Sequence, residues 1–453
     1  MSISPVMQRL SEYIARAGKR SLPDPVVEKT KHHVLDTIAA MVSGSRLRPG
    51  KKAIAFIRTR GGVKEAAVVA TSVVTSAENA ALANGMLAHA DETDDSHAPS
   101  LTHPGCGIVP AALAMAEREA ASGEAFLRAV ALGYDVGCRL TMALDAYQFR
   151  EDGHSTHSFG PMFGAAAAAA ALARLNEREV RHCLSYTAQQ AAGISCWMRD
   201  EEHIEKAFDF GGMPARNGAA AALMVEHGFT GVEDALSGER SFFVAYGRKP
   251  EPARLIDALG ERYEVMNTNI KRWAVGSPIQ APLDALDVLM REKRVKAHDV
   301  ERLTVRVAHQ GANTTNDRAM PDICMQHLCA VMLLDGTVSF KAAHDEKRMR
   351  DQRVLALRKK VQLLGDDALT RAMPSRQGIV ELVLRNGTTL RHHIQAVRGT
   401  AENPMSRAEV DAKAYDLIAP VFGKARARRL CDAVWSLDAL RDIRKLRPLL
   451  KEE

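Results

Sequence analysis

From Gly164 to Leu172 the chain is alanine at every position except its two ends. Such a run is too short and carries too little apolar area to span a bilayer. Its small face instead lets neighbouring helices approach closely. The pattern predicts an inner helix over Phe163–Leu175, and Pro110–Ala121 and Gly218–His227 read the same way. Other helix signals surround them. Asp24-Pro25 is a helix start with Asp24 as N-cap. Val34, Leu35, Ile38, Met41 and Val42 then follow helical spacing, and Gly44 is read as the left-handed residue closing the helix. Thr75-Ser76-Ala77-Glu78 is read as a capping box.

The pattern changes after about residue 267. Val300–Val307 alternates polar and apolar, as a half-buried strand does. Gly378–Arg385 and Thr388–Val397 are strand candidates joined by Asn386-Gly387, a type I′ hairpin signal. Helical patches at Cys324–Leu334 and Ala342–Arg350 lie between, and helices resume after Gly399–Pro404. The expected fold class is therefore mainly α with a second, smaller α+β domain. Residues 1–267 and 400–453 form the helical domain, and residues 268–399 the α+β domain. A chain of 453 residues suits two or three domains.

Charge and cysteine usage narrow the function. Lys and Arg exceed Asp and Glu by only six, which favours a small anionic ligand over a nucleic-acid groove. Seven cysteines without a C-x-x-C pair argue against a disulfide framework or structural zinc. Met1–Arg20 has no apolar h-region, so no secretory signal is expected, and the setting is read as cytoplasmic. No P-loop or strand-linked G-x-G-x-x-G is present. No membrane partner is expected.

The densest polar cluster is His89-Ala-Asp-Glu-Thr-Asp-Asp-Ser-His97, followed by His103-Pro104-Gly105. Pro104 biases His103 towards an extended backbone. The next helix starts near Gly105, so His103 is expected at a helix N-terminus, which favours a bound anion. A histidine there can move protons near neutral pH. Two other readings stay open: a solvated connecting loop, and a metal-dependent hydrolase with Asp94, Asp95, His97 and His103 as ligands. Asp94 or Asp95 would orient a histidine or cap a helix. His154 and His157 lie in the polar loop Gly153–Gly160 before the alanine-rich helix, which can line a pocket or be an ordinary connection, Lys206 precedes Gly211-Gly212, and Lys271-Arg272-Trp273 falls at the change of pattern.

Asn84-Gly85, His89-Ala90, Asp94-Asp95-Ser96-His97, Ser100-Leu101, His103-Pro104-Gly105, Lys206, His227-Gly-Phe-Thr-Gly231, Ile270-Lys-Arg-Trp273, Met332-Leu-Leu-Asp-Gly336 and Gly399-Thr-Ala-Glu-Asn-Pro404 together resemble the MmgE/PrpD family, nearly end to end. That family includes 2-methylcitrate dehydratase, cis-aconitate decarboxylase and iminodisuccinate epimerase. The resemblance implies a helical domain built from both chain ends, an inserted α+β lid and a homodimer. It also implies a small carboxylate substrate and chemistry without metal or organic cofactor. It makes His103, His154, Glu92 and Ser96 catalytic-pocket residues, with Glu92 standing where aspartate is usual and Ser96 where threonine is. Lys206 and Lys271 would hold substrate carboxylates, with Arg272, Asp94, His97 and His327 completing the binding set. Two departures stand out. Gly276 replaces a histidine expected in the decarboxylase, which argues against that activity, and His327 replaces a tyrosine. The expected function is a cofactor-independent lyase or isomerase of a small di- or tricarboxylate. The alternative within the family is a catalytically silent carboxylate-binding relative.

Overall fold

The computed structural model describes residues 3–452. Those residues divide into two compact units. The first comprises residues up to Ala90, Asp94–Thr268 and from Arg407 onward, and the second Asp91–Thr93 with Asn269–Ser406.

The first unit is helical. The elements used below are α1 (Asp24–Gly44), α2 (Ala77–Ala88), α3 (Pro104–Arg118), α4 (Gly123–Ala143), α5 (Thr156–Leu172) and α6 (Met213–Glu226). The alanine-rich α5 is buried along nearly its whole length. Its close partner is α4, and glycines set the approach. A Cβ on Gly137 would lie 2.7 Å from the Gly160 carbonyl oxygen, and one on Gly160 2.8 Å from that of Gly137. Contacts this short leave no room for a side chain, so the two backbones touch directly.

Three local readings change. Asp24 is the first residue inside α1, and Pro23 holds the cap position. Gly44 is the last residue of α1, with no left-handed backbone. A Cβ there would strike the Leu87 carbonyl of α2, so Gly44 is required by packing. At α2 the N-cap is Ser76 without a side-chain cap. The Ala77 N–H donates instead to Glu65 Oε2 at 3.0 Å.

The second unit is built on β1 (Val300–Val307), β2 (Val361–Gly365), β3 (Gly378–Leu384) and β4 (Thr389–Ile394), in the spatial order β2-β1-β3-β4. β1 runs parallel to β2 and antiparallel to β3, with Val305 opposite Val380. The β1–β3 register shifts between Val300 and Arg302. That irregularity explains how Val300 and Leu303, three residues apart, are both buried. The hairpin from β3 to β4 is not a two-residue type I′ turn. Only Gly387 has positive φ, at 83°, and its N–H donates to the Leu384 carbonyl while the Leu384 N–H donates to that of Thr388. The connection is thus three residues with a glycine in the left-handed position. Helices α7 (Gln280–Lys293) and α8 (Met325–Asp335) share a core with the sheet through Leu283, Leu286, Leu328 and Met332. No helix among the described residues is long and apolar enough to cross a membrane.

Candidate active site

The polar segment 89–103 is not a solvated loop. Its histidines and acids are all buried, so each carries a desolvation cost that partners must offset. His103 is the N-cap residue of α3, with φ −111° and ψ 83°. Pro104 opens the helix without needing a backbone donor.

Asp94 bridges two imidazoles. His89 Nδ1 donates to its Oδ2 at 2.9 Å, and His103 Nδ1 to its Oδ1 at 3.1 Å. Burial pushes the Asp94 carboxyl up, but His89 and His103 outweigh it and hold the group well below the ordinary range. An ionised carboxylate only accepts, so both Nδ1 atoms carry hydrogen. The His89 Nε2 is buried without a hydrogen-bond partner.

Asp95 does different work. Its Oδ2 takes the Tyr134 hydroxyl at 2.6 Å and His33 Nδ1 at 2.7 Å, and its Oδ1 takes the Gly105 N–H at 2.9 Å. One carboxylate thus ties α1 and α4 to the first turn of α3, which fixes where His103 sits. Burial drives the His33 imidazole down to about 4, despite its bond to Asp95.

Phe210 forms the wall of the cluster. It lies in a π-helical turn, Phe208–Gly212, immediately before α6. Such turns recur at functional sites. A Cβ on Gly211 would strike the Gly85 carbonyl, and one on Gly85 that of Gly211, so only glycines let this turn lie on α2. The Phe210 ring stacks on His89 at 4.3 Å and on His157 at 3.8 Å. His103 lies 5.1 Å from His89 and 5.2 Å from His157, and His203 lies 5.1 Å from His89. Trp197 meets Phe210 edge-on at 4.7 Å. The Lys206 ammonium sits 5.2 Å and 5.4 Å from the centres of the Phe210 and Trp197 rings, a cation–π arrangement.

Some residues named from sequence lie elsewhere. The His154 ring stacks on Phe149 at 4.5 Å and meets Tyr246 edge-on, while His157 is the ring beside His103. Ser96 is buried in the first unit. His97 Nδ1 pairs with the Ser100 hydroxyl at 2.7 Å and its Nε2 lies 3.3 Å from Glu264. Burial opposes its charge, yet Cys138 and Glu264 raise the imidazole to about 10. Asp94, Asp95, His97 and His103 therefore do not converge as a ligand set. Within the first unit, the ligand atoms of His89, Asp94 and His103 do come together, all within 4.8 Å of one another.

In the second unit, Lys271 Nζ donates to the Glu92 carbonyl at 2.7 Å and lies 3.6 Å from Glu92 Oε2. Arg272 reaches Asp284 and Asp287, both at 3.0 Å. His327 is fully buried with both ring nitrogens unpartnered. Burial and nearby arginines lower it to about 4, so it is a neutral core histidine. At Gly276 a Cβ would strike Ile323, so isoleucine fills the space a larger side chain would take.

The sequence pattern flags His89 in the polar cluster and His157 in the loop before α5, but gives no sign of His203, Trp197 or Phe210. The loop offers two histidines three residues apart, His154 and His157. Which of the two faces inward depends on where α5 begins.

The profile of the MmgE/PrpD N-terminal domain matches residues 8–255, and that of the MmgE/PrpD C-terminal domain matches 273–438. The chain belongs to the MmgE/PrpD family. It is 24% identical to a cis-aconitate decarboxylase-like protein of Aspergillus oryzae, across 99% of this chain and 98% of that relative. It is 22% identical to a cis-aconitate decarboxylase of Aspergillus terreus, across 99% and 96% of the two chains. Family and relatives together support a role of the dehydratase or decarboxylase type.

Proposed function

We propose that the protein is a lyase or isomerase that moves a proton next to a carboxylate of a small di- or tricarboxylate. The observation carrying this reading is the buried Asp94 carboxylate that holds two imidazoles by their Nδ1 atoms at the N-terminus of α3. Taking a proton from carbon beside a carboxylate puts further charge on oxygen, and fixed cations and donors must stabilise it. Lys206 supplies a cation on the aromatic wall. At about 4 Å such a charge is worth roughly 4 kcal/mol at an effective dielectric near 20. An imidazole held in one tautomer is a general acid or base worth about 10² to 10⁴-fold.

In this reading His103 exchanges the proton, Asp94 orients it and Lys206 binds a substrate carboxylate. The family resemblance also assigns Lys271 to the substrate, although Glu92 occupies its ammonium within the second unit. The relatives' names make cis-aconitate the first compound to try. Gly276 and His327 leave dehydration or epimerisation of a related acid as the preferred chemistry. The cofactor-free, homodimeric and cytoplasmic character is part of the same proposal and rests on the family.

The test is a panel of hydroxy- and unsaturated polycarboxylates, assayed with wild type, His103→Asn and Lys206→Ala, alongside elemental analysis. Turnover of one compound that falls at least 10²-fold in His103→Asn is the expected result. Binding without turnover by wild type would instead mark a silent relative. Activity that requires stoichiometric metal would instead point to an ion on His89, Asp94 and His103.

A further inference from the structure

We propose that His157 is the second proton-carrying imidazole of this site, working opposite His103. The inference rests on the proton-transfer reading above and adds a residue that the family resemblance does not supply.

Four observations converge. The His157 ring lies 5.2 Å from that of His103 and is stacked on Phe210 at 3.8 Å, with the planes within 9°. Its Nδ1 is buried with no hydrogen-bond partner. An orphaned polar nitrogen in a buried site is costly unless a ligand satisfies it. Two buried hydrogen bonds clamp the residues just before it: Ser155 Oγ donates to Asp209 Oδ2, and Thr156 Oγ1 donates to the Leu101 carbonyl at 2.6 Å. The first of these ties α5 to the turn that carries Phe210, and the second to the segment that carries His103. His154 has none of this. It precedes the helix, packs on Phe149 and Tyr246, and is partly exposed.

The two imidazoles differ in a way that divides the work. His103 has a carboxylate on its Nδ1, which stabilises an imidazolium. His157 has none. Burial, followed by the charges of His103, Arg150, His89 and Lys206, holds it neutral. A substrate that brings two or three carboxylates beside those cations offsets them and raises the basicity of His157. This is a physical reason for a polyanionic substrate. With a β-hydroxy acid, His157 takes the proton from carbon. The C–H electron pair becomes the C=C bond as the C–O bond breaks, and His103 gives its proton to the departing hydroxide, which leaves as water.

The test uses chemical rescue and imidazole NMR. For the polycarboxylate that wild type turns over, His157→Gly should lose at least 10²-fold in kcat with KM changed less than about fivefold. Added imidazole should restore at least tenfold of that loss. A purely structural role predicts no rescue. In the imidazole spectrum, assigned with His157→Gln, added citrate should move the His157 signal and raise its pKa. The proposal is overturned if rescue and the citrate-dependent shift belong to His154, or if His157→Gly keeps kcat within threefold. In that case loss of activity in His103→Asn still upholds the reading beneath it. Full activity in His103→Asn removes both.

Discussion

The cationic and imidazole groups of the two units differ in what they already hold. In the second unit the charges are met by acids of the same unit. Lys271 has Glu92, Arg272 has Asp284 and Asp287, and His344 has Asp91 at 2.8 Å. In the first unit the rings around Phe210 keep nitrogens without partners, at His89 Nε2, His157 Nδ1 and Trp197 Nε1. A lysine or arginine in a sequence shows a charge but not its partner. The paired charges build the second unit, whose unpartnered His327 is a neutral core residue, while the unpaired nitrogens gathered around Phe210 are what a ligand would satisfy.

Substitutions should separate these two roles. The largest effect is expected at Asp94. Asp94→Asn removes the charge that orients two imidazoles and should lower kcat about 10² to 10⁴-fold with a modest change in KM, read by steady-state kinetics. Arg272→Ala should instead act on stability. It removes one partner from each of two buried acids, leaving Asp284 with Trp273 and the Arg398 N–H and Asp287 with Arg291, and should cost about 1–3 kcal/mol in urea denaturation. A KM change in Arg272→Ala without that loss would place Arg272 in substrate binding after all.

A smaller effect concerns pH. The Asp91 pair raises His344 to about 9, against the effect of burial. A raised folded value means the contribution is full below about 6.5 and is lost as pH rises through about 9. Wild type should therefore lose stability between pH 7 and pH 10 more steeply than His344→Gln, measured by denaturation at both values. The first unit offers a second probe of the same sign, at lower pH, in Asp209, raised to about 7 by burial and by Glu205, against its bond from Ser155. Its stabilising proton is fully bound below about 4 and lost as pH rises through 7. Asp209→Asn should flatten the pH dependence of stability over that window, with little effect below about pH 4.

How legible these features were in the sequence follows from the range of the forces involved. The strand Val300–Val307 and the buried alanine-rich helix were legible because each is set by local pattern. His103 at a helix start was legible because Pro104 announces it. The inward turn of His157 was not. It depends on α5 starting at Thr156 and on Ser155 bonding Asp209, 54 residues away. The π turn at Phe208–Gly212 was equally hidden, since Gly211 is explained by its contact with Gly85 and Gly212 by its contacts with Leu82 and Met86. The pairing of Arg272 with acids 12 and 15 residues on is likewise a tertiary fact.

The most direct measurement follows deuterium from heavy water into the carbon beside a substrate carboxylate, by NMR, without requiring net turnover. Wild type should exchange that proton on at least one di- or tricarboxylate, and Asp94→Asn and His103→Asn should each slow the exchange at least 10²-fold. Exchange at the wild-type rate in both variants would contradict proton transfer at the Asp94-bridged imidazoles.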